Sequence, residues 1–210
     1  MQSGEIKPPA SQRRKVIAAR EDLVNNISIL AKRRGATLYS YINEVLEQAV
    51  RAEELGVTLR EVLDSYEFLR ANKVGGLTPL SIELLNTIAK ICSENACLDK
   101  LERVALDSGK WYGEFIVMRF KPNTADSKSL SRFIERILRE TRWELTEVSV
   151  VCEGNKMRIR AVSLVLNDDA TKIIARYVEG LMNAFGYRME SCELRKGILD
   201  LLFEPIQSIR

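Results

Sequence analysis

The residues that can do chemistry in this chain are few, and their types exclude more than they suggest. Among 210 residues there is no histidine. A histidine-ligated zinc, nickel or iron site is therefore impossible, as is any catalytic arrangement that needs an imidazole base. The four cysteines, Cys92, Cys97, Cys152 and Cys192, form no CxxC pair. Cys92 and Cys97 are close enough in sequence for a local disulfide, but thiols in an intracellular chain are more often buried or incidental. The carboxylates of the C-terminal half (Glu114, Asp126, Glu147, Asp168, Asp169, Glu190, Glu193 and Asp200) are scattered. Asp168-Asp169 reads as a helix start, where negative charge suits the dipole. No GxGxxG or GxxxxGK[ST] stretch is present, so nothing marks a nucleotide-phosphate loop. Trp111, Tyr112 and Phe115 are of the type that stacks on bases, but without interleaved basic residues they read as core. The sequence does not point to an enzyme, a cofactor or a metal.

The chemistry that remains is charge. The net charge is only +3, yet residues 1–34 hold eight Lys/Arg against three Asp/Glu, a local +5, and the rest of the chain sums to −2. Arg13, Arg14, Lys15, Arg33 and Arg34 carry most of this excess. A basic end on a near-neutral protein suits contact with phosphates, and association of two chains would double it. A 46% hydrophobic and 29% charged composition is that of a folded protein. No apolar run is long enough for a transmembrane helix, and Met1–Gln12 lacks an apolar signal core. The expectation is a cytoplasmic protein with no membrane partner and a flexible arm over residues 1–12.

The elements that must position these charges lie between Arg13 and Gly56. Lys15-Val16-Ile17-Ala18-Ala19 is β-prone. Leu23, Ile27, Leu30 and Ala31 then recur at the spacing of one helix face. That helix ends at Lys32-Arg33-Arg34-Gly35, basic residues followed by glycine. Thr37 is placed to cap a second helix, whose apolar side carries Tyr41, Ile42, Val45, Leu46, Ala49 and Val50.

This order resembles the ribbon-helix-helix family of DNA-binding proteins. Glu21-Asp22-Leu23 matches the start of the family's first helix, Ala31–Gly35 its end, and Thr37–Ile42 the start of the second. The resemblance implies a homodimer whose paired strands enter the major groove and whose second helix holds a backbone phosphate at its N-terminus. Carried over to this sequence, the DNA-binding residues are Arg13, Arg14, Lys15, Val16, Ala18, Arg33, Arg34, Thr37 and Leu38. Either strand register turns a single polar side chain toward the groove, with Arg14, Val16 and Ala18 or with Lys15, Ile17 and Ala19 outward. Such a face reads few base edges, so discrimination is expected to come partly from DNA shape. The alternative is a scaffold that uses the same segment only to dimerise.

Residues 57–109 read as helical. Thr58 and Glu61 form a capping box, Thr78-Pro79 restarts a helix, and a shorter helix over Leu98–Leu106 runs into Asp107-Ser108-Gly109. From residue 110 the expected order is β-α-β-β-α-β. Trp111–Phe120 and Glu147–Cys152 would be strands, Met157–Leu166 a third, and Tyr187–Phe203 a hairpin turning at Arg195-Lys196-Gly197. Helices would cover Asp126–Leu138 and the stretch opened by Asn167-Asp168-Asp169. This order is the ferredoxin-like, ACT-like pattern. The expected fold class is α+β: ribbon-helix-helix over 13–56, a helical connector over 57–109 and a ferredoxin-like domain over 110–210. This layout is similar to that of regulators whose tail senses a small molecule, the nickel-responsive ones among them, although no histidine is available for their metal site. The tail is expected to set the oligomeric state or to sense an unidentified effector.

Overall fold

The computed structural model describes residues 16–206, apart from 125 and 143. The expected arm over residues 1–12 and the basic residues Arg13, Arg14 and Lys15 lie outside the described residues. Two compact units are present, one up to Val62 and one from Leu63 onward.

The first unit is a helix pair, α1 (Glu21–Arg33) and α2 (Leu38–Glu54). The strand expected at Lys15–Ala19 is not formed in its described part: Val16–Ala19 has no strand structure. A single short segment has no neighbour to accept its backbone hydrogen bonds, and a strand exists only as one member of a ladder. Local signals decide both helices. Arg20 is extended, and Glu21 and Asp22 fill the first turn of α1. The Thr37 hydroxyl accepts from Ser40 N at 3.1 Å and starts α2.

Helix α3 (Leu59–Val74) starts within the first unit and continues into the second, which adds α4 (Ile82–Glu94), α5 (Leu98–Phe120), α6 (Ser127–Thr141), β1 (Glu147–Glu153), β2 (Lys156–Val162), α7 (Asp168–Ala184), β3 (Tyr187–Arg195) and β4 (Ile198–Pro205). At α3 the expected capping box is formed: Glu61 N donates to Thr58 Oγ1 at 3.2 Å and Thr58 N to Glu61 Oε2 at 2.7 Å. The cap of α4 is Ser81 rather than Thr78, because Pro79 lies three residues before the first helical turn. Asp126 caps α6, accepting from Lys128 N at 3.1 Å. Asn167 opens α7 as expected.

The strands form one antiparallel sheet in the order β1-β2-β4-β3. Alternation along each strand sends Val148 and Val150, Met157 and Ile159, and Leu201 and Phe203 into the core. The β2–β4 register sets Met157 opposite Phe203 and Ile159 opposite Leu201. Helices α6 and α7 pack on this face. The hairpin expected at Arg195–Gly197 is present, with Arg195 opposite Ile198. Gly197 takes a φ of +68°, and a Cβ there would lie 2.0 Å from Ser163 O, so the turn tolerates no side chain.

The expected β-α-β-β-α-β order is not the observed one. Trp111–Phe120 is the second half of the 23-residue helix α5, which neither ends near Leu106 nor breaks at Gly109. The strand expected to open a ferredoxin-like domain is therefore helix, and the sheet consists of two hairpins joined by α7. The reason is a helix crossing. Gly109 and Gly113 lie one turn apart on α5 and meet α7 at backbone distance. A Cβ on Gly109 would sit 2.0 Å from Tyr177 O, and one on Gly180 of α7 would sit 1.9 Å from Leu106 O. Bulky β-formers flank the glycines, and burial of Tyr112 and Ile116 in this crossing overrides their strand preference.

Replacing glycine by alanine inside a helix ordinarily stabilises by about 1 kcal/mol. Here the sign should invert: Gly180→Ala is expected to destabilise the protein by roughly 1–3 kcal/mol through overpacking. A urea midpoint at or above that of the unaltered chain would contradict the crossing.

Candidate functional site

The first unit holds the sequence-predicted site residues that fall in the described chain. They form two groups, one at each end of α1. Val16 and Ala18 precede the helix and are exposed, Val16 fully so at 101%. Arg33, Arg34, Thr37 and Leu38 lie together at its other end, where α1 turns into α2. Thirteen residues of helix at about 1.5 Å per residue hold the two groups roughly 20 Å apart within one chain. At the α1–α2 corner the Arg34 guanidinium stacks over the Tyr41 ring at 5.3 Å and pairs with Glu44 at 3.6 Å. Arg33 is exposed beside it. The backbone N–H groups of the first turn of α2, beginning at Leu38, have no carbonyl partner within the helix, as at any helix start. Arg33, Arg34 and this helix end make a small electropositive corner able to accept a phosphate. No side chain in the corner is of a type that activates water or a nucleophile.

What the helix pair does not cover is equally informative. Only Ala31 and Ala52 are buried in it, while Leu23, Ile29, Leu30, Leu46 and Val50 are each 42–58% exposed. All but Ile29 belong to the apolar stripes of the two helices, of which Ile27, Tyr41, Ile42 and Ala49 are half-buried, so the faces that the sequence built for a core are partly open in a single chain.

The second unit holds a cavity of about 980 Å³ that sequence reasoning did not foresee. It is lined by the end of α3, the α3–α4 loop, α4, Ala105 of α5, the end of α6 with the loop after it, and α7. Leu69, Leu77, Ile82, Leu85, Ile173 and Ile174 make its walls apolar. One side is polar. Arg142, at the C-terminal end of α6, donates from Nε to Thr141 O at 3.0 Å and stacks over the Tyr177 ring at 4.4 Å. Glu144 lies 3.5 Å from the same nitrogen, and its side chain is only 11% exposed. Tyr177 is 5% exposed. Neither Glu144 Oε1 nor the Tyr177 hydroxyl has a hydrogen-bond partner among the described residues. Neighbouring Tyr112 differs, since its hydroxyl donates to Asn72 Oδ1 at 2.6 Å. Burial pushes both phenols up, Tyr177 to about 12; there Arg142 opposes the shift and Glu144 adds to it. No short-range motif joins Arg142, Glu144 and Tyr177, so the sequence offered no signal by which to find them.

The cysteines are all free. A hydrogen bond with Cys97, then burial, raises the Cys92 thiol above its ordinary range, and burial raises Cys192. Thiols held neutral in this way are poor nucleophiles. Among the described residues no group of His, Cys, Asp or Glu could hold a metal, and no helix is long and apolar enough to cross a membrane.

The Tyr177 shift has a consequence for stability. The unfolded chain ionises this phenol near pH 10, whereas the fold keeps it neutral to about 12. The contribution is thus fully present below pH 10 and is lost as pH rises through that window. Unfolding free energy between pH 10 and 12 should fall more steeply in the unaltered chain than in Tyr177→Phe, by up to about 1.4 kcal/mol per pH unit. Parallel slopes in denaturant titrations would refute this. Compared with models of known protein families and with curated proteins, the chain matches none.

Proposed function

We propose that the chain is a homodimeric DNA-binding protein of the ribbon-helix-helix kind, acting as a transcriptional regulator. The observation that carries this reading is the uncovered apolar face of α1 and α2. A helix pair with two buried alanines cannot offset the entropy of its own ordering. A second copy, presenting the same face across a two-fold axis, supplies the missing core. The segment ahead of α1 would gain its strand partner from the same association. Two basic N-termini and two Arg33-Arg34 corners, each beside a Thr37-capped helix start, would then lie on one dimer. That combination of positive charge and free backbone N–H groups suits the phosphates of duplex DNA.

One observation favours a second reading. Val16, Ile17, Ala18 and Ala19 offer no side-chain hydrogen bond to a base edge, as a scaffold that dimerises through this segment without binding DNA would not need to. The two readings divide on charge alone.

Leu46→Asp, on the open face of α2, should convert the dimer to monomer in sedimentation equilibrium, or leave the first unit unfolded by circular dichroism. A dimer that survives it would exclude this face as the interface. DNA affinity of the unaltered chain should fall with salt, its log–log slope steepening by about 0.9 for each phosphate contacted. In Arg13→Glu/Arg14→Glu that slope should shrink and affinity should drop at low salt. If both proteins are dimers and neither binds DNA, the scaffold reading stands instead.

A further inference from the structure

The cavity of the second unit has an apolar floor and a charged rim. Ala105, Ile173 and Ile174 line it and are buried, whereas Tyr66, Leu69 and Leu80 line it from α3 and the α3–α4 loop and stay 51–57% exposed. Single apolar side chains on a surface need no explanation, but three around one cavity of about 980 Å³ leave a concave apolar surface in water. A hydrocarbon body seated there removes that surface from water.

The charges of the lining restrict the head group. Arg70, Lys73 and Arg142 stand against Glu140 and Glu144, which leaves one positive charge in excess. Both carboxylates are already engaged. Glu144 is held against Arg142, 3.5 Å from Nε, and Glu140 Oε1 accepts from Ser65 Oγ at 3.0 Å. Arg70 and Lys73 have no such partner among the described residues. Their spacing on α3 sets them on one helix face with Tyr66 and Leu69, and both are exposed at the rim. Two cations at the edge of an apolar cavity attract an anion that carries its own hydrocarbon and repel an ammonium head.

We propose that this cavity binds a largely hydrocarbon molecule with a single anionic head, its chain against Ile173 and Ile174 and its head at Arg70 and Lys73. The cavity is built wholly from the second unit. The inference therefore stands or falls separately from the dimer and from DNA binding.

The test is calorimetric titration of the full chain with decanoate, 1-decanol and decylammonium, which share one tail, each below its solubility limit and critical micelle concentration. One decanoate should bind per chain, at least about tenfold more tightly than decylammonium. Octanoate, with a shorter tail, should bind about tenfold more weakly than decanoate, as a buried chain requires. Arg70→Gln/Lys73→Gln replaces two exposed residues by a good helix former, so circular dichroism should match the unaltered chain. The double variant should weaken decanoate about tenfold, through loss of two partly exposed ion pairs, and leave 1-decanol within about twofold. Any one of four results would overturn the proposal. These are no saturable heat with decanoate, decylammonium or octanoate binding as tightly as decanoate, decanoate affinity unmoved in the folded double variant, or an equal loss there for 1-decanol.

Discussion

The second unit depends on one close approach between two helices. Where α5 crosses α7, Gly109 and Gly180 bring backbone against backbone, and Gly113 makes room for Ala184 of α7. At such a distance dispersion acts over the whole crossing rather than at side-chain tips. The approach also fixes where Tyr112 and Tyr177 stand, with ring centroids 6.3 Å apart. Tyr112 then reaches Asn72 on α3, while Tyr177 lies beneath the Arg142 guanidinium. Ile173, Ile174 and Tyr177 of α7 also form one wall of the cavity, which α3, α4 and the end of α6 line with it.

The first unit follows the opposite logic. Its helices are set by local chemistry, capped by Thr37 and closed by basic residues, and they stay open on the face that tertiary packing would normally cover. Amphipathic helices of 13 and 17 residues draw most of their stability from burial of that face. A single chain supplies almost none, which is why association is the natural completion of this unit, whereas the second unit builds a full core from its own chain.

Charge is arranged differently in the two units as well. On the sheet face away from α6 and α7, charges are matched: Arg158 bridges Glu153 and Asp200 at 2.6 and 2.8 Å, and Arg160 joins the same aspartate at 2.9 Å. Such a face is neutralised within itself and offers little to an ionic partner. The excess of basic residues lies instead over residues 1–34, on the unit whose apolar face is open.

The sequence by itself determined what depends on neighbours a few residues away. Thr37, the Thr58–Glu61 box, Asn167 and the Gly197 turn were all legible, because a cap or a turn is decided by side chains that reach their own backbone. The alternation of Glu147–Cys152 and the periods of α1, α2, α6 and α7 were legible for the same reason. Trp111–Phe120 was not: its residues prefer a strand, and only contact with α7, some seventy residues away, makes it helix. The GxxxG spacing of Gly109 and Gly113 was the available sign, but without Gly180 opposite it reads equally as a break. The tail's missing first strand, and with it the sheet order, therefore belonged to tertiary structure. So did the cavity, since Arg142, Glu144 and Tyr177 come from the end of α6, the loop after it and α7, and only packing gives them a shared wall.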